Sequence, residues 1–261
     1  MGLFGKLFEK KECSICGGEI GLLGNRKLED GNCCKNCASK LSPWFDDRRH
    51  STVEQIEAQL QYREENKARV AAFCTTRTFG EVYELHLDED KQQLMVVRGG
   101  KIAEENPDVI DFSQVTGCEI DVEDRRTEEK REDKDGNQVS YNPPRYNYFY
   151  DFYVIIKVNH PWFDDMKFKL NRNSIEINNV VARGAFNTSV GNPAMRSYEY
   201  KQYEEMGKEI KSAILDARQT ARDNIVAAAA PKAAVTCPWC GATTMPDASG
   251  CCEYCGGSLN G

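Results

Sequence analysis

Residues 13–37 read CSICGGEIGLLGNRKLEDGNCCKNC and contain two pairs of cysteines with two residues between the members of each pair. The first pair is Cys13 and Cys16, the second is Cys34 and Cys37, and seventeen residues separate the pairs. A zinc ion prefers four tetrahedral ligands, and thiolates three positions apart can both face it from one tight turn. Two pairs at this separation are typical of a zinc site. The stretch therefore predicts a small module folded around one zinc ion.

A second set of cysteines lies at the other end of the chain. Cys237 and Cys240 are followed, after eleven residues, by Cys252 and Cys255, which predicts a short zinc ribbon. Cys-Pro-Trp-Cys also resembles a redox pair of the thioredoxin type, but such a pair belongs in a βαβ unit and no second pair follows it there. Because thiolates fill all four positions in each set, both zinc ions are predicted to be structural.

Each set contains one further cysteine directly before a proposed ligand. Cys33 precedes Cys34, and Cys251 precedes Cys252. The two-residue gap favours Cys34 and Cys252 as ligands and leaves Cys33 and Cys251 as free thiols. Exchange of the ligand role within either adjacent pair is the alternative.

The N-terminal stretch resembles the start of a bacterial family of uncharacterised proteins that is found mainly in Firmicutes. The resemblance rests on Cys13-Ser-Ile-Cys16-Gly-Gly and on the sequence that continues to Gly31, and it covers about residues 12 to 70. It implies a zinc-binding N-terminal domain held by the first four cysteines, and it implies no activity.

The middle of the chain begins with a predicted helix from about Thr52 to Ala72. Ser51 is placed as its N-cap, and Glu54 three residues later gives a capping-box pattern. One face of this helix is expected to be apolar except at a lysine and to dock on a neighbour; it consists of Val53, Ile56, Leu60, Lys67 and Val70.

From about Phe79 to Lys169 the side chains alternate, which predicts at least six strands. The strands are placed at Val82–Leu87, Leu94–Arg98, Ile110–Phe112, Val115–Val122, Tyr148–Val158 and Met166–Leu170. The charged segment 123–145 is interpreted as a long exposed hairpin tip. A second helix is predicted from Ser197 to about Ala228, with an apolar stripe at Tyr200, Tyr203, Met206, Ile210, Ala213, Ile214 and Ala217.

Antiparallel strands closed by one C-terminal helix resemble the pleckstrin-homology-like (PH-like) family, including its GRAM-type relatives. The resemblance covers about residues 76 to 222 and rests on the element order and on Ile110-Asp-Phe-Ser-Gln-Val115. It implies an antiparallel β-barrel that binds a peptide or a lipid headgroup.

The predicted fold class is therefore α+β, with six segments. They are an apolar and basic lead segment (1–11), a zinc-binding module (12–50), an amphipathic helix (51–73), a PH-like domain with its C-terminal helix (76–226), an Ala-rich linker (227–235) and a zinc ribbon (236–261).

Charge and hydropathy restrict the partners. A net charge of −7 and a pI near 5.2 disfavour nucleic acid, because phosphates require a basic surface. No signal-peptide pattern or long apolar run is present, which predicts a reducing, cytoplasmic location. A peripheral position at the inner face of the membrane is a further hypothesis, with packing on the protein's own core or disorder as the alternative; it rests on the lead-segment residues Leu3, Phe4, Leu7 and Phe8.

Catalytic signatures are missing from the sequence. The three histidines, His50, His86 and His160, are predicted to be structural or at the surface, and no hydrolase, nucleotide-binding or metalloprotease motif occurs. The chain is therefore predicted to be a non-enzymatic adaptor that binds a protein or a lipid headgroup.

The pentapeptide Pro-Trp-Phe-Asp-Asp occurs twice, at 43–47 and at 161–165. Neighbouring carboxylates on a strand point to opposite faces, so neither Asp-Asp pair is expected to act as a general acid and base together. The repeats are interpreted as related turns with an aromatic anchor, and a duplicated binding epitope is the alternative.

Overall fold

The computed structural model describes residues 11–181, 193–229, 234–247 and 249–259. The chain is a mixed α/β protein, and its contacts divide it into two compact units, Met1–Arg218 and Gln219–Gly261. The predicted membrane-contact residues lie outside the described residues; these are Leu3, Phe4, Leu7 and Phe8.

The helices are α1 (Lys35–Ala38), α2 (Val53–Ala72), α3 (Ile102–Glu105) and α4 (Tyr198–Ala229). Short 3-10 helices cover Asp47–His50, Phe112–Gln114 and Pro193–Arg196. The strands are β1 (Lys11–Glu12), β2 (Glu19–Ile20), β3 (Arg26–Lys27), β4 (Asn32–Cys33), β5 (Arg77–Phe79), β6 (Tyr83–Asp88), β7 (Gln93–Arg98), β8 (Ile110–Asp111), β9 (Val115–Glu132), β10 (Gln138–Val158), β11 (Asp165–Lys169), β12 (Ile175–Val181), β13 (Val235–Thr236) and β14 (Thr243–Thr244).

The N-cap of α2 is Thr52, so the prediction of Ser51 was wrong. The Thr52 hydroxyl accepts a hydrogen bond from the backbone N–H of Gln55 at 3.3 Å, and the Gln55 side chain accepts one from the Thr52 N–H at 2.9 Å. Gln55 therefore completes the capping box in place of Glu54. The Ser51 hydroxyl instead donates to the carbonyl oxygen of Asp47 at 2.9 Å.

The buried face of α2 is largely polar, in contrast to the predicted apolar stripe. Ile56 is buried, but the other buried residues of the helix are Gln59, Arg63 and Asn66. The remaining members of the predicted stripe are half-buried or exposed: Val53, Leu60, Lys67 and Val70. Polar groups can be buried at low cost when hydrogen bonds compensate for lost water, and hydrophobic periodicity does not detect such positions.

The middle of the chain forms two four-stranded antiparallel sheets. The first has the order β5-β6-β7-β8. In the second, β9 pairs with β10, while β11 and β12 pair with different parts of β10, at residues 153–157 and 145–150. Among the described residues the two sheets are not joined into a closed barrel, so the barrel expected from the PH-like resemblance is not formed by these strands.

The charged segment 123–145 is the outer part of the hairpin formed by β9 and β10. The strands continue to Glu132 and resume at Gln138, so they are longer than predicted. Cross-strand contacts replace hydrophobic burial here: the Arg125 guanidinium lies 4.5 Å from the ring centroid of Phe149. Alternation of hydrophobicity ends where such pairs begin, which is why the sequence pattern predicted a shorter strand.

Helix α4 confirms the predicted second helix. Its buried residues in the first unit include most of the predicted stripe: Tyr200, Tyr203, Ile210, Ala213 and Ile214. The rings of Tyr200 and Tyr203 lie 5.0 and 6.1 Å from the ring of Phe152, a buried residue of β10. A Cβ at Gly207 would lie 3.1 Å from Ile120, so the missing side chain allows α4 to approach β9 closely.

Candidate metal centres

The first cysteine set converges on one point. The Sγ atoms of Cys13, Cys16, Cys34 and Cys37 all lie within 4.8 Å of one another. Those of Cys16 and Cys34 are 3.8 Å apart. Zinc–sulfur bonds of about 2.3 Å in a tetrahedron place two sulfur atoms about 3.8 Å apart, so the four thiols fit a single zinc ion.

The first pair is presented by a tight turn that requires glycine. The backbone N–H of Gly17 donates to the carbonyl oxygen of Cys13 at 2.8 Å, and the N–H of Cys13 donates to the carbonyl oxygen of Gly18 at 2.8 Å. Gly17 has φ of +67°, in the left-handed region that favours glycine. The turn therefore brings the side chains of Cys13 and Cys16 to the same side.

The second pair is presented by the start of α1. Cys34 is the N-cap of this helix, and its Sγ accepts a hydrogen bond from the N–H of Cys37 at 3.3 Å. The N–H of Cys34 in turn donates to the Sγ of Cys13 at 3.2 Å, which joins the two pairs. Such N–H donors stabilise thiolate, the form in which cysteine binds zinc.

The pKa values of the first set follow from these contacts. Burial raises the pKa of Cys13, but N–H donors from Cys34, Cys16 and Ile15 outweigh burial and lower that pKa to about 6. Burial and the neighbouring sulfur atoms raise the pKa of Cys37. The protein alone therefore favours ionisation of Cys13 over Cys37, and a bound dication would supply the charge that stabilises further thiolates.

Cys33 belongs to the hydrophobic core of the module and not to the metal set. Its side chain is fully buried, and it clusters with Ile20, Leu28, Leu41 and Ile56. Burial raises the pKa of the Cys33 thiol to about 11, so the thiol is neutral near pH 7. The gap rule thus selected the cysteine that the structure places with the other three. The core beside the metal set is small, which agrees with a module that needs metal to fold.

The second cysteine set has the same internal distances. The Sγ atoms of Cys237, Cys240, Cys252 and Cys255 all lie within 4.8 Å of one another. The Cys237–Cys255 and Cys240–Cys252 sulfur distances are 3.6 and 3.7 Å. Together the two sets are compatible with two structural zinc ions. The Sγ of Cys251 lies instead 3.8 Å from the carbonyl oxygen of Ser249.

Both pairs of the second set use the glycine turn seen at Cys13. Gly241 donates its N–H to the carbonyl oxygen of Cys237 at 2.9 Å, and Gly256 donates to that of Cys252 at 2.8 Å. Their φ angles are +70° and +71°. Burial raises the pKa of Cys237, but N–H donors from Cys240 and Trp239 help to lower it to about 7.

A cluster of buried polar groups, which the sequence reasoning missed, joins α2 to the loop before β8. The Asp108 side chain is fully buried and accepts hydrogen bonds from Arg63 at 2.7 Å, Tyr62 at 3.0 Å and Ser42 at 2.8 Å. Arg63 also donates to the carbonyl oxygen of Lys40 at 3.3 Å. The signal in the sequence would have been a polar Gln59-x3-Arg63-x2-Asn66 spacing on one helical face.

Comparison with known proteins gives one match. A family described as a domain of unknown function (DUF4428) matches residues 11–59. That range covers about a fifth of the chain and contains the first cysteine set and the start of α2. No curated protein and no solved structure matches the chain. The similarity therefore concerns the N-terminal module and brings no activity with it.

Proposed function

We propose that this chain is a non-enzymatic, zinc-stabilised adaptor that binds another protein. The observation that carries the proposal is the closure of both metal centres by four cysteine thiols each. A zinc ion with four thiolate ligands keeps no position for a substrate or a reacting water molecule. The metal then serves folding, and binding falls to the surfaces around it.

The C-terminal cysteine module offers one such surface. Trp239 and Tyr254 lie within its two turns, and they are 75% and 73% exposed. The Trp239 indole N–H donates to the carbonyl oxygen of Ser258 at 3.3 Å, and a Cβ at Gly257 would lie 2.6 Å from the indole ring. Trp239 is therefore held in place while exposed. Such aromatic anchors are enriched among the residues that dominate protein–protein binding energy.

The proposal includes a PH-like domain over residues 76–226, with a protein or a lipid headgroup as its ligand. It is supported by two four-stranded antiparallel sheets followed by a long helix. The packing of Tyr200 and Tyr203 of α4 on Phe152 agrees with a helix that covers a sheet face.

The adaptor proposal predicts that exposed aromatic residues of the C-terminal module are needed for partner binding. The variant with Trp239→Ser and Tyr254→Ser is expected to recover each specific partner from host lysate at least about tenfold less well, since anchor residues contribute about 2 kcal/mol or more. Quantitative mass spectrometry of cross-linked pull-downs measures this recovery.

Tyr198→Ser is the matched control, because Tyr198 is 77% exposed but lies on α4. It should leave recovery unchanged. Native mass spectra must show the same zinc content in all three proteins. Equal recovery with the wild type and the double variant would contradict the adaptor role of this surface.

A second candidate function is attachment to a membrane surface, and a turn in the first module favours it. Leu22 and Leu23, between β2 and β3, are 79% and 92% exposed. Lys11, at the end of the lead segment, pairs with Ile20 just before this turn. Exposed leucines beside basic groups suit an anionic lipid surface. Within the part of the chain that the structure describes, no helix has the length and apolar character to cross a bilayer.

Membrane attachment predicts co-sedimentation with vesicles that contain phosphatidylserine. Leu22→Ser with Leu23→Ser is expected to reduce the bound fraction at least about tenfold, because burying one leucine contributes about 1.5–3 kcal/mol. Removal of residues 1–10 should have a similar effect. The matched control is Ile225→Ser with Val226→Ser, two apolar residues that are 56% and 69% exposed. Equal pelleting of all variants, or no pelleting of the wild type, would exclude this function.

A further inference from the structure

The two copies of Pro-Trp-Phe-Asp-Asp meet at one cavity. Residues 43–47 and 161–165, distant in sequence, contribute most of the lining of a cavity of about 400 Å³ within the first compact unit. The ring of Phe45 from the first copy packs edge-on against the ring of Trp162 from the second, with centroids 6.3 Å apart. A volume of this size is typical of small-ligand sites. The repeats therefore share a location as well as a sequence.

Both copies are held by the same local contact. The backbone N–H of Trp44 donates to the hydroxyl oxygen of Ser42 at 3.1 Å. The backbone N–H of Trp162 donates to Nδ1 of His160 at 3.4 Å. In each copy, the residue before the proline thus fixes the tryptophan that follows it. The same turn is built twice and presents the same side chains to the cavity from two directions.

The buried Asp108 cluster anchors both turns. The hydroxyl group of Ser42 donates to Asp108 at 2.8 Å. Tyr62 donates to the other carboxylate oxygen of Asp108 at 3.0 Å, and its ring lies 5.1 Å from the ring of His160. The two turns are therefore attached to one buried group. A site fixed in this way loses little conformational entropy when a ligand binds.

The lining of the cavity is negatively charged. It contains four aspartates, and none of the lining residues that the structure describes is lysine or arginine. Asp47 is paired with His50 at 2.7 Å. Within the described residues, the carboxylates of Asp46 and Asp164, one from each copy, make no hydrogen bond or ion pair. Burial lowers the pKa of His160, which keeps this lining residue uncharged near pH 7.

A metal ion does not suit this arrangement. Over the described ranges, the groups with three or more metal-ligating atoms within 4.8 Å are the two cysteine sets, so the aspartates of the cavity do not form one. A larger cation can contact separated carboxylates and aromatic faces at once. Aromatic rings attract ammonium and guanidinium groups through their quadrupole, most strongly in a partly desolvated site.

We propose that this cavity binds an organic cation, through an ammonium or guanidinium group held between the aromatic rings and carboxylates of the two repeats. The cavity is lined by no cysteine of either metal set, so the site is separate from the zinc-dependent surfaces. Two sources share this chemistry: a free amine, and a lysine or arginine side chain of a peptide.

Intrinsic fluorescence tests the site in the full zinc-loaded chain. The chain has three tryptophans, and Trp44 and Trp162 line the cavity, so Trp239→Phe leaves only those two as reporters. Choline chloride is the first probe. Its control is the uncharged isostere in which a tert-butyl group replaces the trimethylammonium group, at matched ionic strength. We expect a saturable change with choline and affinity for the isostere that is at least about tenfold weaker.

A second arm identifies the source of the cation. Ethylguanidinium represents a free amine, and arginine blocked as N-acetyl and N-methylamide represents a peptide side chain. Tighter binding of the blocked arginine assigns the site to a protein ligand. Tighter binding of ethylguanidinium assigns it to a free small molecule.

Variants complete the test. Asp46→Asn with Asp164→Asn should weaken choline binding by about tenfold, since two partly exposed charge contacts are lost. Asp90→Asn with Asp135→Asn removes the same charge from exposed positions elsewhere and should leave the affinity unchanged. Equal binding of choline and its isostere, no saturable change with any cation, or equal weakening by both double variants would overturn the proposal. The comparison of choline with its isostere needs neither aspartate variant, so it remains decisive even if those variants misfold.

Discussion

Replacing Cys34 by serine is expected to lower the zinc content from two ions per chain to one and to unfold the N-terminal module. Cys34 lies with Cys13, Cys16 and Cys37, and it also caps α1. Structural zinc contributes roughly 10–16 kcal/mol of binding free energy to small modules of this kind. The core beside the metal cannot replace that contribution, because it holds few large aliphatic side chains.

The neighbouring cysteine provides the control. Cys33→Ala should keep two zinc ions, because Cys33 lies in the hydrophobic core and outside the metal set. Native mass spectrometry measures the zinc content, and hydrogen exchange over residues 11–59 measures the folding of the module. Retention of both ions in Cys34→Ser, together with loss of one ion in Cys33→Ala, would reverse the ligand assignment.

Replacing Arg63 by alanine is expected to lower the free energy of unfolding by about 3–5 kcal/mol, because it leaves a buried carboxylate without its charged partner. The side chains of Arg63 and Asp108 are 6% and 0% exposed, and their atoms lie 2.7 Å apart. Removal of Arg63 also strips a hydrogen bond from the carbonyl oxygen of Glu105. Urea denaturation of the zinc-loaded chain measures the loss.

Arg69→Ala is the matched control for this prediction. Arg69 and Asp111 also lie 2.7 Å apart, but their side chains are 33% and 44% exposed. Solvent screens such a pair, so its removal should cost no more than about 1 kcal/mol. Similar losses for Arg63→Ala and Arg69→Ala would show that burial of the Asp108 cluster does not have the predicted energetic consequence.

The metal centres could be predicted because their chemistry is local. Two residues between cysteines determine whether both thiols of a pair can face one ion, and this rule selected Cys34 over Cys33 and Cys252 over Cys251. The glycine after three of the four pairs adopts a positive φ, as the turn requires. Helix α4 was predictable for a similar reason, since its apolar stripe matches the surface it buries.

Other features depend on contacts between distant segments, and hydrophobic periodicity does not report them. The buried face of α2 consists of Gln59, Arg63 and Asn66 because groups near Asp108 satisfy them. The outer hairpin of β9 and β10 is stabilised by cross-strand arginine–aromatic pairs such as Arg125 with Phe149. Strands β5 and β12 were not predicted at all.

The pentapeptide repeat shows the same limit in the candidate ligand site. The sequence displays both copies of Pro-Trp-Phe-Asp-Asp, and their interpretation as related turns agrees with the matching contacts of Trp44 and Trp162. Their convergence on one cavity follows from the tertiary fold, because it places the loop before α2 beside the loop before β11. A repeat in sequence therefore became a candidate site only when the two positions could be located in space.

Native mass spectrometry of the full wild-type chain tests the central claim most directly. Two closed sets of four cysteine thiols predict a mass increase of two zinc ions per chain, with both ions removed by a strong chelator under mild denaturation. A chain that carries no zinc, or only one ion, after purification in the presence of zinc would contradict the account.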